Sequence, residues 1–279
     1  MKETIKHILQ RLHIYHPLHA VYRAQLRNML KRKYRKAFRP YAGAGFTCNV
    51  CGARYTKFVS DFPSAENEMA LSEHQVVAGY GNNILCPNCL STARERLVLA
   101  FLQSDMDVAQ KKILHLSPEK HLYDFLRTKA TVITADIHPG LYKSTDKKVQ
   151  YQDATCFDFS GNSFDLVIGN HILEHIPDDC KAMAEINRVL KPGGKAILQV
   201  PFSLTNQSTI ETPHINDPVL QSKLYGQKDH VRIYALSDYA GRLRDAGFTV
   251  AVIEYKDLGK FYQYAIQENE SFLVIGKPA

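Results

Sequence analysis

Residues 164–201, FDLVIGNHILEHIPDDCKAMAEINRVLKPGGKAILQVP, read as one complete strand–helix–strand unit. The run 164–169 is apolar apart from Asp165 and short enough for a buried parallel strand. Asn170 and His171 place polar groups where that strand ends. Pro177, Asp178 and Asp179 open a helix, with the acids at the positive end of its dipole. Met183, Ile186, Val189 and Leu190 recur at helical spacing and give the helix an apolar stripe. Lys191-Pro192-Gly193-Gly194 is expected to stop the helix and turn the chain, with residues 196–200 forming the next buried strand. A helix crossing between two buried strands is the repeating unit of an open α/β sheet. Such sheets bind ligands at the carboxyl ends of their strands, here around residues 170–175.

The flanking sequence extends the same pattern. Residues 112–116 (KILHL) form a short apolar strand that ends in Ser117-Pro118-Glu119, followed by a helix over 121–129. Residues 131–135 form the next strand and end in Asp136. About twenty residues separate the end of the first strand from this aspartate, the interval at which a carboxylate meets ribose hydroxyls in nucleotide-binding α/β folds. Residues 149–152 end in Asp153-Ala154, a third strand closed by an acid. Residues 202–235 read as a long polar insertion, of the kind that forms a lid or substrate site. A helix over 237–246 and two apolar strands, 248–255 and 272–276, complete the domain.

Upstream, Cys48-Asn-Val-Cys51 and Cys86-Pro-Asn-Cys89 are two thiol knuckles, and four thiolates suit one tetrahedral zinc ion. Four protein ligands leave no open coordination position, so this zinc is structural. The polar stretch 64–83 between the pairs is expected to loop out. Cys156 and Cys180 stand alone. Arg94 and Arg96, on the helix that leads into the main domain, can face the zinc module or an anionic ligand, and salt-bridged surface residues are the favoured reading.

The net charge of +7 is uneven, because residues 1–47 carry eleven Lys/Arg against one acid, Glu3. Apolar stripes at Ile5, Ile8, Leu9 and Leu12, and at Val21, Tyr22, Leu26, Met29 and Leu30, predict helices broken near His16-Pro17. This basic segment can dock on the domain, lie on an anionic membrane surface, or meet nucleic acid phosphates. The thiol segment lacks basic–aromatic interleaving, so nucleic acid is not the expected partner. The charges and histidines of the first residues argue against a secretory signal, and no apolar run is long enough to span a bilayer. A cytoplasmic protein, with peripheral membrane contact through residues 1–40 left open, is the expectation. The boundaries are drawn at a basic helical segment (1–45), a zinc-ribbon-like module with its linking helix (46–104) and an α/β domain (105–279).

The motifs FDLVIGNHILEHIPDD, INRVLKPGGKAILQVP, CPNCLSTARERL, ILHLSPEK, TADIHPG and GQKDHVRIY resemble class I S-adenosylmethionine-dependent methyltransferases. Within that class they are similar to the bacterial type 11-like group that carries an N-terminal zinc knuckle. The resemblance spans residues 46 to about 250. It implies a Rossmann-like seven-stranded sheet with its last strand antiparallel, and S-adenosylmethionine as methyl donor. The cofactor-binding positions it implies are Ser117, Glu119, Asp136, Ile137, Asp153, Ala154, Asn170 and His171. Asp136 would take the ribose hydroxyls, Asp153 and Ala154 the adenine, and Asn170 and His171 the methionyl part. The first-strand loop departs from the family pattern of an acid followed by glycines, so Glu119 is expected to meet the cofactor's amino group directly. Methyl transfer from a sulfonium is an in-line displacement in which the protein aligns the acceptor and excludes water. A base helps if the acceptor is a hydroxyl, and His171, His175 and His230 are the candidates, with His214 behind them. The expected acceptor is a small molecule or a glycan or surface-polysaccharide precursor, methylated on oxygen or nitrogen. The competing reading is a non-catalytic binding module whose altered 117–119 loop has lost the cofactor.

Overall fold

A computed structural model describes residues 15–212 and 214–279. A 23-residue helix, Tyr15–Ala37, leads the chain. It begins at the predicted break, because proline is tolerated in a first turn where its missing N–H has no helical partner. The predicted stripe at Ile5, Ile8, Leu9 and Leu12 lies outside the described residues. The helix docks on the second thiol knuckle: Arg27 donates to the Cys89 carbonyl (3.4 Å) and Arg35 to the Asn88 carbonyl (3.0 Å). No helix among the described residues is long and apolar enough to cross a membrane.

The thiol module follows as two small sheets, β1 (Ala42–Thr47) with β2 (Arg54–Tyr55), and β3 (Val59–Asp61) with β5 (Gly81–Leu85). The stretch between the cysteine pairs does not loop out. It forms the helix Ala65–Glu73 and the strand β4 (Val76–Val77). Residues 93–104 form the helix Ala93–Ser104, whose N-terminus carries a complete capping box between Thr92 and Glu95.

The α/β domain contributes β6 (Lys112–Leu116), β7 (Thr131–Asp136), β8 (Gln150–Tyr151), β9 (Phe164–Ile168) and β10 (Leu190–Ile197). The helix before β10 runs Asp179–Val189 and starts two residues later than Pro177, since the Asp178 side chain caps it by accepting from the Lys181 N–H (2.9 Å). Strand β10 also begins earlier than predicted. Leu190 already pairs with Phe164, and the Lys191–Gly194 turn is absorbed as an irregularity before Lys195 resumes the ladder. Gly193 takes φ +74° there, and a Cβ on Gly194 would sit 2.8 Å from the Lys191 carbonyl. The predicted polar insertion is structured: β11 (Phe202–Ser203), β12 (Ile210–Glu211), the helix Pro218–Tyr225 and β13 (Arg232–Ala235). Strand β4 pairs with β11, giving a four-stranded sheet in the order β12-β13-β11-β4. The helix Leu236–Asp245, β14 (Thr249–Ile253) and β15 (Phe272–Gly276) close the chain.

The central sheet has seven strands in the order β14-β15-β10-β9-β6-β7-β8. Strands β6 to β10 run parallel, while β15 is antiparallel to both β10 and β14, as the resemblance implies. Two helical layers explain the continuous apolar run of β9. Leu166 and Ile168 pack with the Ala93–Ser104 layer, and Val167 packs with Met183, Ile186 and Val189 on the other face.

Candidate functional site

A cavity of about 670 Å³ opens at the carboxyl ends of the parallel strands. Ser117, Asp136, Ile137, Asp153, Ala154 and His171 line it together, so six of the eight positions proposed from sequence share one wall. Ser117 sits at φ +45° where β6 ends, and its hydroxyl donates to Asp136 Oδ2 (2.6 Å). Asp153 folds back on its own turn, accepting from the backbone N–H and hydroxyl of Thr155 (both 2.8 Å).

Glu119 and Asn170 are not among the lining residues. Asn170 donates to Glu119 Oε2 (2.8 Å), and Arg94 Nε donates to Glu119 Oε1 (3.1 Å). Burial works against the Glu119 charge, but Arg94 and the hydrogen bonds from His115 and Asn170 overcome it and hold the carboxyl at about 2. The 117–119 loop is therefore locked by an ion pair from the Ala93–Ser104 helix, in place of glycines.

Of the predicted catalytic histidines, His171 and His175 line the cavity and His230 does not. His171 takes φ +51°, and its Nδ1 lies 3.5 Å from Glu174 Oε1. Burial, then the Arg94 charge, pushes the His171 pKa well below its usual value, so its ring is neutral at pH 7. Burial likewise lowers His230 to about 4 and raises Glu174 to about 7. His175 and His230 meet edge to face, 4.7 Å between ring centres. The segment around His230 is anchored by Arg232, which donates to the carbonyls of Leu173 (2.9 Å) and Pro177 (2.8 Å) and to Glu211 (2.8 Å). That anchor brings residues 226–234 under the exit of β9. His214 is exposed and lines no part of the cavity.

Adjacent residues on an α-helix point apart, which argues against Glu174 orienting His175. Residues Leu173–His175 form a 3-10 turn instead, and ligand atoms of Glu174, His175 and His230 all lie within 4.8 Å of one another. Arg94 meets an anionic partner, Glu119, as one reading of its helix allows, whereas nothing in the local pattern marks Asp229.

In the thiol module, Cys48 Sγ lies 3.7 Å from Cys89 Sγ and Cys51 Sγ lies 3.8 Å from Cys86 Sγ. All four sulfurs fall within 4.8 Å of one another. A zinc tetrahedron with Zn–S bonds of about 2.3 Å has S–S edges of about 3.8 Å, so the donor set fits that ion. The Ser91 N–H (3.4 Å) and Asn88 Nδ2 (3.3 Å) point donors at Cys89 and Cys51 sulfurs, as a thiolate shell requires. Arg94 and Arg96 depart from the surface reading. Arg94 pairs with Glu119 beside the cavity, and Arg96 is fully buried between the module and the domain.

Residues 117–198 match the methyltransferase domain. That span covers the Ser117 turn, Asp136, Asp153 and the 170–175 exit. Among curated proteins, the chain is 40% identical over 60 residues to phosphoethanolamine N-methyltransferase 2 of Caenorhabditis elegans, covering 21% of this chain and 14% of that one. It is 28% identical over 142 residues to a ubiquinone biosynthesis O-methyltransferase of Aromatoleum aromaticum, covering 48% and 59%. The chain thus spans less than two thirds of either relative. The crystal structure of the [4+2]-cyclase SpnF shares the fold, with a TM-score of 0.50 at 13% identity over 79% of this chain and all of that one. The part of the chain that carries the cavity is therefore similar to methyltransferases.

Proposed function

We propose that this protein is an S-adenosylmethionine-dependent methyltransferase that methylates oxygen or nitrogen of a small molecule or a glycan or surface-polysaccharide precursor. The observation that carries this reading is the convergence of Asp136, which ends β7, and Asp153, two residues past β8, on one cavity inside the matched domain. The donor set suits the cofactor: Asp136 and Ile137 for the ribose end, Asp153 and Ala154 for the adenine, Ser117 and His171 for the methionyl end. Glu119 and Asn170 contribute by fixing the loop behind Ser117. When bound, S-adenosylmethionine supplies an electrophilic methyl group. The chain's own residues align the acceptor, keep water out and take up its proton. His171 and His175 line the cavity where the acceptor would sit, and His230 packs against His175. His171 and His230, held neutral by burial, can accept a proton at pH 7.

The four-cysteine centre takes structural zinc in this reading. The protein is cytoplasmic, and residues 1–40 offer a basic surface for an anionic membrane; failure to co-sediment with anionic vesicles removes that last element. Isothermal titration with S-adenosylmethionine tests the central claim. Saturable one-site binding is expected, and absence of heat at high micromolar ligand overturns it in favour of a non-catalytic module.

A further inference from the structure

The geometry points to a second metal centre: Glu174, His175 and His230 form a site for one first-row divalent cation beside the cavity, which His175 lines. Their ligand atoms lie within 4.8 Å of one another, close enough to share one ion. The strongest observation is Glu174 itself. Its side chain is 1% exposed, and neither carboxylate oxygen has a hydrogen-bond partner. A buried carboxylate without hydrogen bonds is costly, and a bound ion is one way to satisfy it.

The histidines are arranged as ligands. Nδ1 of His175 lies 3.1 Å from the Asp229 carbonyl, so its N–H is engaged there and Nε2 is left free to coordinate. The His230 ring is held edge to face against His175, 4.7 Å between centres. Charge also balances. The Asp229 carboxylate stands 3.7 Å from His175 and adds a second negative group at the rim. Arg94, whose field reaches Glu174, is already paired with Glu119.

One carboxylate and two imidazoles favour Mn²⁺, Fe²⁺, Co²⁺ or Zn²⁺ over Ca²⁺, and three protein ligands leave positions open. His175, beside His171 and Asp229, lines the cavity, so the site borders it. Resting on the methyltransferase reading, the centre selects an acceptor that offers an oxygen ligand, and His171 is left to handle its proton. The cation site itself does not depend on that reading.

The test uses the full chain with the cysteine centre loaded with zinc, titrated with Mn²⁺ while the signal of free aqueous Mn²⁺ is followed by electron paramagnetic resonance. One Mn²⁺ per chain is expected beyond the zinc. Glu174→Gln and His230→Ala should each weaken it tenfold or more while leaving the zinc content unchanged. Should a buried variant fail to fold, His175→Ala, whose side chain is 31% exposed, makes the same test. No Mn²⁺ bound by the wild type at millimolar concentration, or variants that bind as the wild type does, overturns the site. Calorimetry with S-adenosylmethionine in parallel separates the two claims, because each ligand can bind without the other.

Discussion

Arg96→Met should break the joint between the thiol module and the α/β domain. The Arg96 side chain is 0% exposed and faces no acid. Its guanidinium donates to five backbone carbonyls: Tyr264 (2.6 Å), Ala265 (2.6 Å), Ser91 (2.6 Å), Asn83 (2.9 Å) and Ile84 (3.1 Å). Three of these belong to the chain around the second knuckle and two to the connector before β15. Methionine keeps the aliphatic stem but donates nothing. The Ser91 carbonyl keeps the Cys86 N–H as a donor (2.9 Å), which leaves four carbonyls unpaired. Each costs about 1 kcal/mol or more, so four cost about 4 kcal/mol. Burial opposes the Arg96 charge, lowering its pKa to about 10, and deleting that charge offsets about 2 kcal/mol. The net loss is about 2 kcal/mol, a sizeable part of a typical domain stability of about 5–15 kcal/mol. With a urea slope of about 3 kcal/mol/M, the unfolding midpoint should fall by about 0.7 M. Arg96→Lys brings three donors to those four acceptors and should lose about 1 kcal/mol. Urea unfolding followed by circular dichroism reads both variants. A wild-type midpoint for Arg96→Met would refute the assignment of Arg96 as the joint.

Three further outcomes follow from the same geometry. If zinc fills the cysteine centre, only Cys156 and Cys180, both exposed, react with a thiol reagent in the native protein. A strong chelator should expose the other four and lower the melting temperature, whereas full reactivity before chelation excludes the ion. Asp136→Ala removes a charged acceptor worth about 1.5–3 kcal/mol and should weaken S-adenosylmethionine binding about 10- to 100-fold; unchanged affinity in calorimetry removes the ribose role. Burial raises the Glu270 carboxyl to about 7, against the opposing Arg94 charge. The unfolded chain releases that proton near 4.5 and the folded one only near 7, so stability falls as pH rises between those values. Glu270→Gln should therefore gain stability over the wild type at pH 8 but not at pH 4, and equal differences at both pH values would contradict it.

What the sequence disclosed follows from how local each signal is. Strand β6 is recovered at its predicted bounds because five residues carry their own apolar pattern and a polar exit. Asp136, Asp153 and His171 could be placed on the cavity for the same reason, since strand ends in a parallel sheet share one edge. Residues 202–235 could not be read as a sheet. Their strands are two to four residues long, and β11 completes its pairing with Val76 and Val77, more than a hundred residues upstream. Periodicity needs longer runs than that. Arg96 was misread because an arginine on a helix looks the same in sequence whether water or five carbonyls receive its donors. The ion pair of Glu119 with Arg94 could not be read from sequence, because the two partners lie 25 residues apart.

These two arginines give the helix Ala93–Ser104 a role that neither end of the molecule has alone. Arg96 ties its first turn to the thiol module, and Asn49 reinforces the tie by donating to the Arg96 carbonyl (2.9 Å). Two residues earlier, Arg94 reaches the opposite way to Glu119 and so to the Ser117 turn at the cavity. Glu95, between them, caps the helix and pairs with His121 (2.9 Å) at the start of the next helix. One helical turn thus connects the cysteine centre to the loop where glycines would otherwise approach a ligand. A Ser-Pro-Glu loop lacks glycine's freedom to adopt a binding conformation, and an ion pair fixed from behind substitutes rigidity for that freedom. The thiol module is then the foundation of the cavity wall, which accounts for a four-cysteine cluster placed outside the cavity and for an arginine buried between the two.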